Sequence, residues 1–156
     1  MTINPVIEKL EREEIKIVGF SVTESLNNIL NHDIVKNLRE SLFKRKSEIN
    51  GRKTNGIYLV QLYSDDGEWT HDTPFENIVA FEVDSLSDIP NDMVQYTIPA
   101  GFYTHFIHKG PESKIGDTYE SINEYSLRPF DIEYWHDISS LDDAETEIDI
   151  YIPVKS

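Results

Sequence analysis

One succession of hydrophobic patterns occurs twice in this chain, and that recurrence narrows the folds open to it. "IKIVGFSV" (15–22) is rich in β-branched residues and alternates weakly, which predicts a strand. Asn and Asp residues within 27–33 offer helix caps, and Ile34, Leu38 and Leu42 then recur at helical spacing with Val35 alongside. This predicts an amphipathic helix ending near Ile49, before Gly51. "GIYLVQLYS" (56–64) reads as a buried strand, Asp66-Gly67 as a turn, and "ENIVAFEV" (76–83) as a strand with Val79, Phe81 and Val83 on one face and Ala80 and Glu82 on the other. The order then restarts. "MVQYTIPAGFYTHFIHKG" (93–110) predicts a long strand broken at Pro99-Ala100-Gly101, because proline cannot donate to a ladder. Ile115, Tyr119 and Ile122 line a second helix, "FDIEYWHD" (130–137) is a strand, and "TEIDIYIPVK" (146–155) alternates cleanly, with Ile148, Ile150, Ile152 and Val154 opposite Glu147, Asp149 and Tyr151.

The chain therefore reads β-α-β-β, then β-α-β-β, at a period of roughly 75 residues, too long and too few for a solenoid. An α+β fold follows, a single domain over residues 1–156 whose repeat halves cover about 13–88 and 92–156. One helix per half covers one face of an antiparallel sheet from the outside, and the uncovered faces need cover of their own. Halves related by a pseudo-twofold axis would supply it and would leave a cleft between them.

Charge bears on what such a cleft can hold. With 14 Lys and Arg against 29 Asp and Glu, the net charge of −15 opposes approach to nucleic acid, so direct nucleic-acid binding is not expected. The basic run Lys44-Arg45-Lys46 falls near a helix end, where the dipole favours cations. The acidity fits a cationic ligand or a basic protein partner. No cysteine is present, and neither a signal-like apolar core nor a membrane-spanning run is found, which suggests a cytoplasmic protein with no membrane association.

"FDIEYWHD" sets a glutamate among large apolar side chains. Alternation puts Phe130, Ile132 and Tyr134 on one side of the strand and Asp131, Glu133 and Trp135 on the other. If the aliphatic-bearing side packs on the helices, Glu133 and Trp135 point away from them, as do Glu147, Asp149 and Tyr151 of the last strand. Glu133 is then either an ordinary solvated strand carboxylate or the counter-charge in an aromatic cavity. Of five histidines, His105 and His108 are three apart on a strand and face opposite ways, a poor chelating geometry. Neither a metal site nor a cofactor is expected, and no Gly-rich phosphate loop or nucleophile elbow occurs.

The pieces "VGF" (18–20), "DGEW", "AFEV", "YTIPAGFYTHFIHKGP" (96–111), "TYESINEY" (118–125), "IEYW" (132–135) and "IDIYIPVK" occur in an order that resembles the GyrI-like effector-binding domain family. That small-molecule-binding domain is also found in AraC-type and multidrug-responsive transcription activators. The segment between Leu127 and Phe130 is shorter than the usual family loop, and Ile132 stands where phenylalanine commonly precedes the glutamate. The resemblance implies a duplicated fold with a ligand cleft between the halves, lined by aromatics and a glutamate matched in position by Glu133. It also suggests a stand-alone member, without DNA-binding helices. Trp135, Tyr151, Tyr58 and Trp69 are the aromatic candidates, with Trp69, after its turn, the most suited to a lid. Such a cleft would bind or sequester hydrophobic, aromatic or cationic small molecules, by ring stacking and a counter-charge. Two other roles are open: a hydrolase of strained alkylating compounds, using Glu133 as acid or base with Tyr151 or Tyr58 as proton partner, and an acidic module that inhibits a DNA topoisomerase.

Overall fold

A computed structural model of the chain describes residues 8–63, 70–85, 89–121 and 129–154. Its strands are β1 (Glu8–Arg12), β2 (Ile15–Glu24), β3 (Arg52–Leu62), β4 (Phe75–Val83), β5 (Val94–Ile98), β6 (Gly101–Lys109), β7 (Phe130–Trp135) and β8 (Glu147–Pro153). Its helices are α1 (Leu26–Asn31), α2 (Ile34–Lys44) and α3 (Ile115–Ser121).

The helical segment of the first half divides in two. Ser25 caps α1 by accepting from the Asn28 N–H at 3.2 Å. Asp33 then takes a left-handed conformation (φ 51°) that breaks the run before α2 begins. Helix α2 ends earlier than the spacing predicts, at Lys44, and a 3-10 turn over Lys46–Glu48 leads to Gly51, whose φ of 74° suits glycine. The basic run lies at this helix end, with Arg45 paired to Glu48 and Asp92 at 2.8 and 2.5 Å. The buried line of α2 is Val35, Arg39 and Leu42, while Ile34 and Leu38 pack at its margin.

The strands form one antiparallel sheet in the order β1-β6-β8-β7-β3-β4-β2-β5. Each half contributes three strands with its last in the middle (β2-β4-β3 and β7-β8-β6), and the seam between halves is β3 against β7. The expected long strand over 93–110 is two strands at opposite ends of the sheet: β5 pairs with β2, and β6 with β8 and β1. Strand β1, which precedes the expected first half, belongs to the edge of the second. Each half therefore sends a short arm to the other.

These arms force the sheet to curl. Arg12 and Ile15 are joined by three Cα–Cα steps, at most about 11 Å, yet their strands stand at opposite ends of the sheet order. Pro99 and Ala100 make the matching short link from β5 to β6. Only a half-barrel brings both edges close enough, and its curl gives the sheet two buried faces. On the helix face, α1 and α2 cover Val18, Ile57, Leu59, Val79, Phe81 and their neighbours, and α3 covers Phe106, Ile150 and Ile152 through Ile115 and Tyr119. The inner face closes on Ile15, Ile17, Tyr58, Val60, Ile78, Ala80, Ile98 and Ile132.

This arrangement reverses the facing expected for β7. Phe130, Ile132 and Tyr134 belong to the inner face, whereas Glu133 and Trp135 lie on the helix face. Strand β8 follows its expected facing: its isoleucines meet the helices and Tyr151 turns inward. Glu133 and Tyr151 consequently stand on opposite sides of the sheet.

Candidate functional site

The antiparallel register sets short rows across the seam on the helix face. One row is Phe81, Ile57, Trp135 and Ile148; the next is Val79, Leu59, Glu133 and Ile150; the third is Asn77, Gln61 and Asp131. Glu133 thus sits at the centre of the molecule, between apolar neighbours on both adjoining strands and only 5% exposed. Among the described residues, two donors hold its carboxyl group. The Tyr119 hydroxyl on α3 donates to Oε2 at 2.7 Å, and the Trp135 indole Nε1 donates to Oε1 at 3.0 Å.

Burial dominates the acidity of this group. Loss of hydration pushes Glu133 up from the usual 4.5 to about 7; the two donors pull the other way, and the negative charges of Glu112 and Asp131 add to the rise. The Tyr119 phenol is raised well above its ordinary value, first by burial and then by the neighbouring Glu133. Asp131, fully buried, accepts from the Tyr63 hydroxyl at 2.7 Å. The Asn77 side chain donates to Phe75 O at 3.1 Å, and its Oδ1 is buried without a partner among the described residues.

The face of the Trp135 ring carries a cation. Arg39 reaches from α2 so that its guanidinium carbon is 4.8 Å from the indole centroid, and it forks onto Glu112 of the second half at 2.5 and 2.7 Å. A cavity of about 290 Å³ opens beside this fork, lined by Lys36, Arg39, Glu40, Glu112, Ile138 and Leu141 among others. Another hollow, about 360 Å³, has His136, Asp137, Glu145 and Glu147 in its wall and none of the hydrogen-bond partners of Glu133.

The other candidates divide. Glu133 and Trp135 stand together. Tyr58 and Tyr151 occupy the inner face, where Tyr58 stacks obliquely on Tyr134 at 4.6 Å and Arg12 lies 4.1 Å from the Tyr151 ring centroid. Burial raises both phenols, Tyr151 to about 12, while Arg12 opposes the shift. The sheet lies between them and Glu133, and the phenol bonded to that carboxyl group is the one on Tyr119. His105 stacks on Tyr151 and bonds Asp149 at 2.8 Å on the inner face, and His108 faces the helices, so the two point opposite ways as their spacing predicts. Trp69 and its turn lie outside the described residues.

Sequence reasoning missed Tyr119 as a partner, and it missed Arg39 and Glu112 altogether. A signal existed for two of them. Arg39 occupies the i+4 position from Val35 within the buried stripe of α2, and Tyr119 falls in the apolar stripe of α3, so each carries a polar head into a packed interface. Glu112 carries no such mark.

The GyrI-like small-molecule-binding domain matches residues 5–155. The transcriptional regulator BrlR of Pseudomonas aeruginosa is 27% identical over 155 residues, a match that takes in 93% of this chain and 54% of the regulator. The chain thus spans about half the length of the curated relative it matches. Solved structures that share the fold include the following two. The C-terminal domain of EcmrR superposes with a TM-score of 0.73 at 15% identity, over 99% of each chain. SAV2435 bound to tetraphenylphosphonium gives 0.70 at 16%, over 97% of this chain and 94% of that one.

Proposed function

The chain belongs to the family of GyrI-like small-molecule-binding domains, and from that premise we propose that it takes lipophilic aromatic cations on the helix face of the β3–β7 seam. One observation carries this reading: a buried carboxyl group bonded to the indole N–H of a tryptophan whose ring face already attracts a guanidinium. A ring face draws cations by its quadrupole, by about 2 kcal/mol or more once water is excluded. The ionised carboxylate adds a counter-charge that a low-dielectric interior screens weakly. Glu133 supplies the charge, Trp135 the stacking surface, and Tyr119 orients the carboxylate. That SAV2435 is a protein of like fold with tetraphenylphosphonium bound supports the choice of probe.

The ionisation of Glu133 couples binding to pH. Only its charged form attracts a cation, so affinity rises as pH passes upward through about 7. Titration with tetraphenylphosphonium at pH 6 and pH 8 tests this. The wild type is expected to bind more tightly at pH 8, and Glu133→Gln to bind weakly with no such difference. Equal binding by the two proteins would remove Glu133 from the site.

The same geometry favours a second reading, hydrolysis. A carboxyl group near pH 7 with a phenol 2.7 Å away meets the demand that an acid–base group titrate near working pH. Product formation from a strained-ring alkylating compound, lost in Glu133→Gln, would favour turnover over capture.

A further inference from the structure

The aromatic face proposed to receive the ligand is already covered by the protein's own cation. Arg39 is 6% exposed, stacks on Trp135 and is held by a two-pronged bond to Glu112. A guanidinium is planar, delocalised and weakly hydrated, which makes it a close analogue of an aromatic cation. The bond also joins the halves, since Arg39 rides on α2 and Glu112 belongs to the 3-10 turn ahead of α3. Arg39 and Glu112 line the 290 Å³ cavity as well, so Arg39 borders both that hollow and the indole.

We propose that Arg39 is a tethered competitor for the cleft, which sets a threshold that only cations broad and delocalised enough to displace a guanidinium can pass. The proposal rests on the cation reading of the site. Its physical basis is balance. The attraction within the ion pair is offset in part by the hydration lost, mostly by the buried Arg39, so the pair can be exchanged when an equivalent cation takes its place. An aromatic cation entering from the cavity recovers the Trp135 face and inherits Glu112 as a second carboxylate, while the Arg39 head moves to water on its flexible stem. A small ammonium ion offers no flat surface to replace the one lost and gains nothing by exchange. Arg39 thereby selects the ligand class.

The test compares wild type, Arg39→Met and Glu112→Gln. Methionine keeps the apolar stem and removes the competitor. If the fork is open about a tenth of the time, tetraphenylphosphonium binds Arg39→Met about tenfold more tightly than wild type, and tetramethylammonium stays weak in both. Glu112→Gln opens the fork but deletes the second carboxylate, so no such gain is expected. A ligand-free measurement runs in parallel. In a Trp69→Phe background Trp135 is the sole tryptophan, and either substitution should make its fluorescence more accessible to acrylamide. Wild-type binding that Arg39→Met leaves unchanged or weakens, or quenching that neither substitution alters, would overturn the competitor. Absence of binding by wild type and Arg39→Met alike, with Trp135 newly accessible, would instead defeat the cation reading and the competitor with it.

Discussion

Glu133 is protonated more readily in the folded protein than in the unfolded chain, and that difference has a measurable sign. Its folded value of about 7 lies above the ordinary 4.5, so the native state binds the extra proton between those limits. Stability from this group is complete below about pH 4.5 and is lost as pH rises through about 7. The loss amounts to about 3 kcal/mol, at roughly 1.4 kcal/mol for each unit of pKa difference. Urea unfolding of wild type and Glu133→Gln at pH 5 and pH 8 isolates it, because the self-repulsion of the acidic surface is nearly common to both. The wild type should lose more stability than the variant between the two conditions. Parallel losses would mean that the carboxyl group is not held as described.

At the scale of elements, the site depends on how α3 is seated. His108, on the helix face of β6 and 3% exposed, bonds both sides of the approach to that helix: its Nε2 donates to Pro111 O at 2.9 Å, and its Nδ1 lies 2.6 Å from the Thr118 hydroxyl. This pinning keeps Tyr119 over Glu133. Replacing His108 by alanine removes both bonds and is expected to cost about 1–3 kcal/mol. Hydrogen exchange should quicken through 111–121 and leave α2 unchanged. A uniform rise across both halves would show that His108 supports the whole molecule rather than one helix. Helix α2 relies instead on apolar burial: Leu42 is fully enclosed, and Leu42→Ala should lower stability by about 2–5 kcal/mol in thermal or urea unfolding.

At the scale of the whole molecule, the halves share one seam and exchange one arm each, so neither has a complete sheet of its own. The seam is tight where Gly56 opens it, since a Cβ there would overlap the Tyr134 phenol across the strand pair. That ring has little room to yield, being packed on Tyr58 and His136 and bonded to Thr54 at 3.0 Å. Gly56→Ala should therefore destabilise the protein by about 1–3 kcal/mol, as overpacking does. Fluorescence and far-UV circular dichroism should report one shared transition at a lower midpoint. Two separated transitions would show halves that unfold independently.

Much of this architecture was legible from residue order, because period-two and helical patterns are local properties. The isoleucines of β8 and the valines and phenylalanine of β4 read correctly from alternation, as did the succession of β2, α2, β3 and β4 and of β6, α3, β7 and β8. The facing of β7 did not. Its central position in a curled sheet buries both sides, so Phe130, Ile132 and Tyr134 look as suited to the helices as the true helix face does, and alternation fixes only that two sets oppose one another. The arms β1 and β5 were equally hidden, since a two-residue link gives no sign that the strands it joins lie at opposite ends of a sheet. Sequence alone determined the alternating sets, the duplicated order and the glutamate beside a tryptophan. Only the tertiary structure decided which side of the sheet that pair occupies and that Tyr119, Arg39 and Glu112 meet it there. Those meetings arise from closing the curl and packing helices from both halves over one seam, contacts between residues too far apart in the chain for any local pattern to encode.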